Sequence, residues 1–325
     1  MCKLDELKEK LITLPNLPIF IAGHTTPDQD SIGSCLVLCR VLRELKKNAY
    51  VLCKKEETSL VSWQNIEDLV ITNIEDYLQN NNIKEYIFIA LDLNDLSRLD
   101  YSKIFLNATY TINIDHHQGN STNANFILSC TTPSSTCEIL YRLIEKIDKS
   151  YLTLDNCQNL YCGILTDTNC FSRRISNRTF EIAQDLINHK IDYYKLNRLV
   201  LWGKTPNELV CSGLLAQNII KMDKFHYVVC DKELMDKNQL TQSVLVKKVA
   251  EDLRKIDGIN ILVFLIDYKN KIVAKVMTND CDIADKISSQ FAGGGGHKRE
   301  AGFTTTLKTK EIIEIISKYL SNFQF

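Results

Sequence analysis

The stretch PIFIAGHTTPDQDSIGSCLVLCRVLRELKKN, residues 18–48, decides how the chain folds. PIFIAG (18–23) is a short apolar run suited to a buried strand. From Ser31 onward apolar residues recur at helical spacing, at Ile32, Cys35, Cys39, Leu42 and Leu45. Between the two patterns stand His24, Asp28 and Asp30. The alternation continues through AYVLCK (49–54), YIFIALD (86–92) and YTINID (110–115). Strands alternating with helices predict a parallel sheet covered by helices on both faces.

Helical patterns follow at 132–148, 155–168 and 176–190, each with Ser, Thr or Pro available near its start. Residues 191–207 read as a partly helical connector. The remainder changes character, with strands at 225–230, 260–267, 271–278 and 302–307 and helices at 243–256, 282–291 and 308–320. The expected organisation is an α/β domain over 1–190, a linker over 191–207, and a smaller mixed α/β domain over 208–325.

The chain has 325 residues, enough for two cores, and a net charge of −1. No global basic field draws in long double-stranded nucleic acid, so an anionic partner must be held locally. The 12 cysteines include no C-x-x-C pair and sit in apolar segments, which reads as reduced, packed thiol. The N-terminal stretch MCKLDELKEKLITL is charged and amphipathic, and no apolar run approaches a membrane span. A cytoplasmic protein without membrane partners is expected, with its oligomeric state open.

In an open parallel sheet ligands bind outside the carboxyl ends of the strands. Acid clusters fall at those ends. The first strand delivers His24, Asp28 and Asp30, the third Asp92, and the fourth Asp115, His116 and His117. Asp167 interrupts the helical segment YCGILTDTNCF. Any one of these acids alone reads as a helix cap or turn residue. Together they would repel one another unless a cation neutralised them. Carboxylate mixed with imidazole, without thiolate, suits Mn²⁺, and the surplus of acids suits two ions bridged by one carboxylate.

HTTPDQD, LDLND, IDHH and GILTDT, in this order, resemble the four motifs of the DHH phosphoesterase superfamily. FAGGGGHKREAGF (291–303) resembles the glycine-rich histidine motif of the DHHA1 domain. The resemblance implies that His24 and Asp28 hold one Mn²⁺, that Asp30, His116 and Asp167 hold a second, and that Asp92 bridges them. Mg²⁺ or Co²⁺ could substitute. His117 would face the substrate phosphate as a catalytic group, and Asp115 would orient the histidines. Gly294, Gly295, Gly296, His297, Lys298 and Arg299 would grip the far end of the substrate, since glycine exposes backbone N–H groups to an anion. Arg98 is a further candidate for phosphate. The pattern departs from the family at Ser31, Leu93, Asn94 and Asn169, none of them a ligand position, and at Asn279, where relatives often carry arginine.

Within the superfamily, the pyrophosphatases carry a basic cluster in place of the glycine motif. RecJ-like exonucleases add an OB-type domain, and membrane-tethered cyclic-di-AMP enzymes add sensor regions. The compact two-domain form resembles the nanoRNase and pAp phosphatase branch. That branch implies a Mn²⁺-dependent oligoribonuclease acting on very short RNA or pAp. Hydrolysis of cyclic or linear dinucleotides (c-di-AMP, pApA, pGpG) is the alternative, and a nucleotide-binding regulatory module the non-enzymatic one.

Overall fold

The computed structural model describes residues 3–323; the side chains of Leu201, Trp202 and His297 lie outside that description. The chain divides into two compact units, Met1–Gly203 and Lys204–Phe325.

The first unit is built on six strands: β1 (Ile19–Ala22), β2 (Ala49–Leu52), β3 (Val70–Ile71), β4 (Ile87–Leu91), β5 (Tyr110–Asp115) and β6 (Phe126–Ser129). They lie in the order β3-β2-β1-β4-β5-β6, and every pairing is parallel. β1 and β4 are the central pair, and the strand order turns around between them. A parallel sheet of this order opens a crevice at that point, at the carboxyl ends of its strands. Successive residues of β1 and β4 alternate between two cores. Ile19, Ile21, Ile87 and Ile89 face the helices Gln29–Glu44, Thr136–Ile147 and Leu154–Asp167. Phe20, Ala22, Phe88 and Ala90 face a smaller layer with Ile74 and Phe105. Helices therefore cover both faces, as the sequence predicts.

The helices Gln29–Glu44 and Leu154–Asp167 pack closely against each other. A Cβ on Gly163 would lie 2.3 Å from Cys137 Sγ and 2.8 Å from Asp30 Oδ1. Gly163 thus lets a helix backbone pass against a buried carboxylate. Arg40 and Asn159 share Gln64 as a hydrogen-bond partner across the same layer, at 2.8 Å each.

The second unit holds β7 (Ile220–Lys221), β8 (His226–Asp231), β9 (Ile261–Asp267), β10 (Ile272–Thr278), β11 (Gly295–His297) and β12 (Glu300–Thr305). Their order is β11-β12-β10-β9-β8-β7. β8 and β9 run parallel and the other pairs antiparallel, which makes this the expected mixed sheet.

Several expectations need correction. β3, β6, β7 and β11 are absent from the sequence reading; three of them have only two or three residues, too few to carry a periodicity. The helix expected over 243–256 is a short α-turn, a π-helical stretch Leu245–Val249 and a final α-turn Ala250–Leu253. Asp167 does not interrupt its helix but ends it. Among the described residues ten cysteines are free thiols. Trp63 packs half-buried against the main core. Among the described residues no helix is long and apolar enough to cross a membrane.

Gly163→Ala is expected to destabilise the fold by about 1–3 kcal/mol, the usual range for overpacking. Urea unfolding would show a lower midpoint at unchanged slope. A midpoint equal to that of the native chain would contradict the close approach.

Candidate metal centre

The turn after β1 starts the site. Asp28 caps the helix Gln29–Glu44, its Oδ1 accepting from the N–H groups of Asp30 (3.0 Å) and Ser31 (3.1 Å). The cap reading of this acid is therefore correct, and it leaves the other oxygen unspent on the cap. The His24 N–H donates to Ser31 Oγ at 3.1 Å, which accounts for serine at that position.

Asp30 is fully buried on the first turn of the same helix. Its two oxygens accept from the N–H groups of Thr136 and Cys137, each at 2.8 Å, at the start of the helix Thr136–Ile147. One helix thus aims its positive end at a carboxylate borne by another.

Asp92 follows β4 with a left-handed backbone, φ 58°. Aspartate tolerates this region better than most residues, yet it remains a strained position. Two contacts hold the turn. The Asp92 N–H donates to the Ile114 carbonyl (3.0 Å), and Asn113 Nδ2 donates to the Leu93 carbonyl (3.0 Å). Asn113 is fully buried in β5, and Asn120 donates to its Oδ1 at 2.6 Å. The sequence reading missed this support. Its signal was present, as the lone amide inside the apolar run YTINID.

The two oxygens of Asp92 serve different neighbours. Oδ2 lies 3.5 Å from His24 Nε2, while Oδ1 lies 3.5 Å from His116 Nε2 and 3.7 Å from His117 Nδ1. Thr136 Oγ1 donates to Oδ1 at 3.2 Å. Asp167 Oδ2 lies 3.0 Å from His116 Nε2. Beyond them, the fully buried Asp115 places Oδ1 at 2.7 Å from His117 Nδ1.

Three groups of these side chains bring one atom each within 4.8 Å of one another and could hold a metal ion: His24, Asp28 and Asp92; Asp30, His116 and Asp167; and Asp92, His116 and His117. Asp92 stands in two of the groups and His116 in two. The donor set of carboxylate and imidazole fits a divalent cation of the hard-to-borderline class. The buried His116 Nε2 makes no hydrogen bond of acceptable geometry despite its two carboxylate neighbours, as suits an atom aimed at a cation. Asp167 occupies the last residue of its helix, where the dipole disfavours an anion.

The other candidates are not members of these groups. Arg98 is half-buried outside these groups, and its carbonyl accepts from the Thr25 N–H at 2.7 Å. Gly294–Arg299 belong to the second unit, where the glycine run is no linker but part of the β11–β12 hairpin. A Cβ on Gly294 would meet the Ser288 carbonyl at 2.0 Å, and one on Gly296 would meet Ala301 Cα at 2.6 Å. Both glycines are thus required by internal packing. Gly295 alone of the three faces open space. Arg299 is exposed and paired with Asp282 at 2.7 Å, and Lys298 is exposed.

Sequence comparison agrees with this geometry. The profile of the DHH family, N-terminal domain, matches residues 18–164. This stretch is a DHH family domain. The full chain is 25% identical over 312 residues to the bifunctional oligoribonuclease and PAP phosphatase NrnA of Mycoplasma genitalium, with 92% of each chain covered. It is 25% identical over 297 residues to the cyclic-di-AMP phosphodiesterase GdpP of Geobacillus thermodenitrificans, covering 87% of this chain and 44% of that one. The chain spans only 36% to 49% of the length of the longer curated relatives it matches. In fold it is similar to an exopolyphosphatase-related protein from Bacteroides fragilis, with TM-score 0.84, 20% identity, and 98% and 95% of the two chains covered.

The electrostatics show what a cation would displace. Burial, with Asp167 adding to it, pushes the Asp30 carboxyl up to about 7. Burial and the Asp30 charge raise Asp92 well above the usual carboxylate range. Burial opposes a charge on His116, but Asp167 and Asp92 outweigh it and hold the imidazole well above its ordinary value. Asp167 moves the other way: burial works to raise it, but His116 and Arg174 prevail and lower it.

In the metal-free protein Asp30 and Asp92 therefore keep their protons to higher pH than free carboxyls do, and His116 to higher pH than a free imidazole. Their folded values exceed the unfolded ones, so they favour the metal-free fold at low pH. That contribution fades as pH rises, for Asp30 between about 4 and about 7. An entering cation must expel these protons, so affinity rises with pH. The increase in melting temperature given by Mn²⁺ at about pH 7.5 is expected to shrink at about pH 6. Calorimetry in buffers of different ionisation enthalpy should register net proton release. Equal shifts at both pH values, or no release, would contradict the assignment.

Proposed function

We propose that this chain is a divalent-metal-dependent phosphoester hydrolase acting on very short RNA and on pAp, with Mn²⁺ as the resident metal. The observation that carries the reading is Asp92, which divides its two oxygens between His24 on one side and His116 on the other. On this reading His24 and Asp28 would hold one ion and Asp30, His116 and Asp167 a second, with Asp92 shared between them. Two such ions supply hydroxide at neutral pH and offset charge at phosphorus.

The chain's own residues do the rest. Asp30 is fixed by two backbone N–H groups, so its carboxylate cannot turn away from the site. Asp115 accepts from His117 Nδ1, which sets the tautomer and leaves Nε2 to exchange a proton with a substrate oxygen. The near-neutral net charge favours a substrate of few phosphates over a long polymer. The likeness to NrnA over nearly the whole of both chains supports this substrate class. A second reading, cleavage of cyclic or linear dinucleotides, is favoured by the likeness to GdpP.

The test is an activity panel with Mn²⁺ over pAp, pApA, pGpG and cyclic-di-AMP. Turnover of pAp and pApA is expected, and turnover of cyclic-di-AMP alone would favour the second reading. Failure on all four would remove both and leave a nucleotide-binding module.

Asp92→Ala should lower kcat by about a thousandfold or more, as loss of a group that stabilises charge in the transition state does. Asp115→Asn should lower it about 10–100-fold, the range for a residue that orients a ligand or base through one hydrogen bond. Steady-state kinetics on pApA reads both. Near-native rates in Asp92→Ala would refute the role of the bridge.

A further inference from the structure

The chain leaves the helix of Asp167 through a distorted turn. Asn169, Cys170 and Phe171 are three successive left-handed residues, φ 44°, 62° and 61°, and Arg174 is a fourth, φ 54°. The Cβ of an L-residue crowds the next carbonyl in this region, so such a run persists only where its surroundings hold it. Thr168 does the holding. It is fully buried. Its Oγ1 accepts from the Phe171 N–H (2.9 Å), and its carbonyl accepts from the N–H groups of Ser172 (2.9 Å) and Arg173 (3.0 Å).

What the turn delivers is an aromatic stack. The Phe171 ring lies 5.5 Å from that of Phe180, centroid to centroid, with 26° between their planes. On its other side is Tyr161, with centroids 6.4 Å apart. Tyr161 is buried, and its hydroxyl donates to Asn197 Oδ1 at 3.0 Å. Phe180 is the outer member and is 50% exposed, and Ile175 beside it in sequence terms is 42% exposed. An isolated exposed phenylalanine needs no explanation. A ring seated on a second ring, which a strained turn puts in place, calls for one.

The stack belongs to the rim of the metal centre. Phe180 follows Thr179 in the first turns of the helix Asn177–Asn188. Thr179 Oγ1 donates to Glu138 Oε2 at 2.9 Å, and the same oxygen accepts from Ser134 N–H (3.0 Å) and Oγ (2.6 Å). Glu138 is fully buried in the first turn of the helix Thr136–Ile147, the helix that seats Asp30. Two helix starts are thus tied together beside the carboxylates. A cation stands on the same side. Burial raises the Asp167 carboxyl, His116 lowers it, and the exposed Arg174 lowers it further, which brings that guanidinium within electrostatic reach of the site.

We propose that Phe180, backed by Phe171, is a stacking platform for a nucleobase, with Arg174 as the adjoining cation for the anionic part of the same nucleotide. Every base has a π-face, so a platform of this kind is tolerant of base identity. It selects nucleotides over sugar phosphates and inorganic anions without selecting which nucleotide. The strained turn then has a task, which is to carry the chain from a metal-facing acid to a base-facing ring within four residues. The proposal rests on the hydrolase reading only in placing the phosphate of this nucleotide at the metal centre.

The experiment is calorimetric titration of the full chain, with Mn²⁺ present, by 5′-AMP and in parallel by ribose 5-phosphate, which lacks the base. The native chain should bind 5′-AMP the more tightly. Phe180→Leu keeps an apolar contact with Phe171 but removes the π-face. It should weaken 5′-AMP binding about tenfold, as loss of one base–aromatic stack does, and leave ribose 5-phosphate unchanged. Phe180→Trp restores a π-face. It should bind 5′-AMP at least as tightly as the native chain, and 5′-AMP should quench its indole fluorescence beyond any quench seen in the native chain. Native affinities that are equal for the two ligands, or binding of neither, would overturn the proposal. So would unchanged 5′-AMP binding by Phe180→Leu, or an equal loss for both ligands. Melting temperatures show whether each variant folds; if Phe180→Leu does not, the Phe180→Trp quench decides, and its absence overturns the platform. No turnover enters these measurements, so a negative activity panel leaves the platform standing, and its failure leaves the metal chemistry intact.

Discussion

Four carboxylates, those of Asp28, Asp30, Asp92 and Asp167, converge at the carboxyl ends of a parallel sheet, Asp30 and Asp92 buried and the other two half-buried. Their mutual repulsion is the constraint around which the first unit is arranged. The protein offsets part of it with fixed donors. Two N–H groups at the start of the helix Thr136–Ile147 take up Asp30, and two at the start of the helix Gln29–Glu44 take up Asp28. Two of the histidines, His24 and His116, lie beside the Asp92 and Asp167 carboxylates. What these groups leave uncompensated is the affinity for a divalent cation. The strand order creates the crevice, but charge decides what the crevice is for.

Much of this was legible in the sequence, for an identifiable reason. Buried parallel strands are continuous apolar runs, so PIFIAG and YIFIALD announce both their type and the position of their ends. Once the ends are known, the acids that follow them fall into place. The Asp92 backbone was not legible, because a left-handed φ leaves no mark on composition when the residue is aspartate. Asn169 is the converse case. It adopts φ 44° at a position where glycine is usual in the family, and asparagine is the common substitute in that conformation.

The second unit was less transparent. Its hairpin glycines read as a phosphate-gripping loop, and two of them also let the chain pass Ser288 and Ala301. Close packing between backbones is invisible in one dimension, and exposed N–H groups and tight fits select the same residue. The hydrogen bond from Arg254 Nε to Asn279 Oδ1 (3.2 Å) was hidden for a similar reason. The partners are 25 residues apart and meet only through the tertiary path of the chain. Short strands, broken helices and long-range polar pairs share this property, since each is decided by neighbours that local pattern does not contain.

Asp30 does two jobs with one side chain, seating the Thr136–Ile147 helix and facing His116 and Asp167. The two tasks cannot drift apart under selection. A change that moved the carboxylate would unseat a helix, and one that shifted the helix would move the carboxylate. Such a residue narrows the routes by which a gene can explore new activities, and it steers innovation toward positions with a single duty.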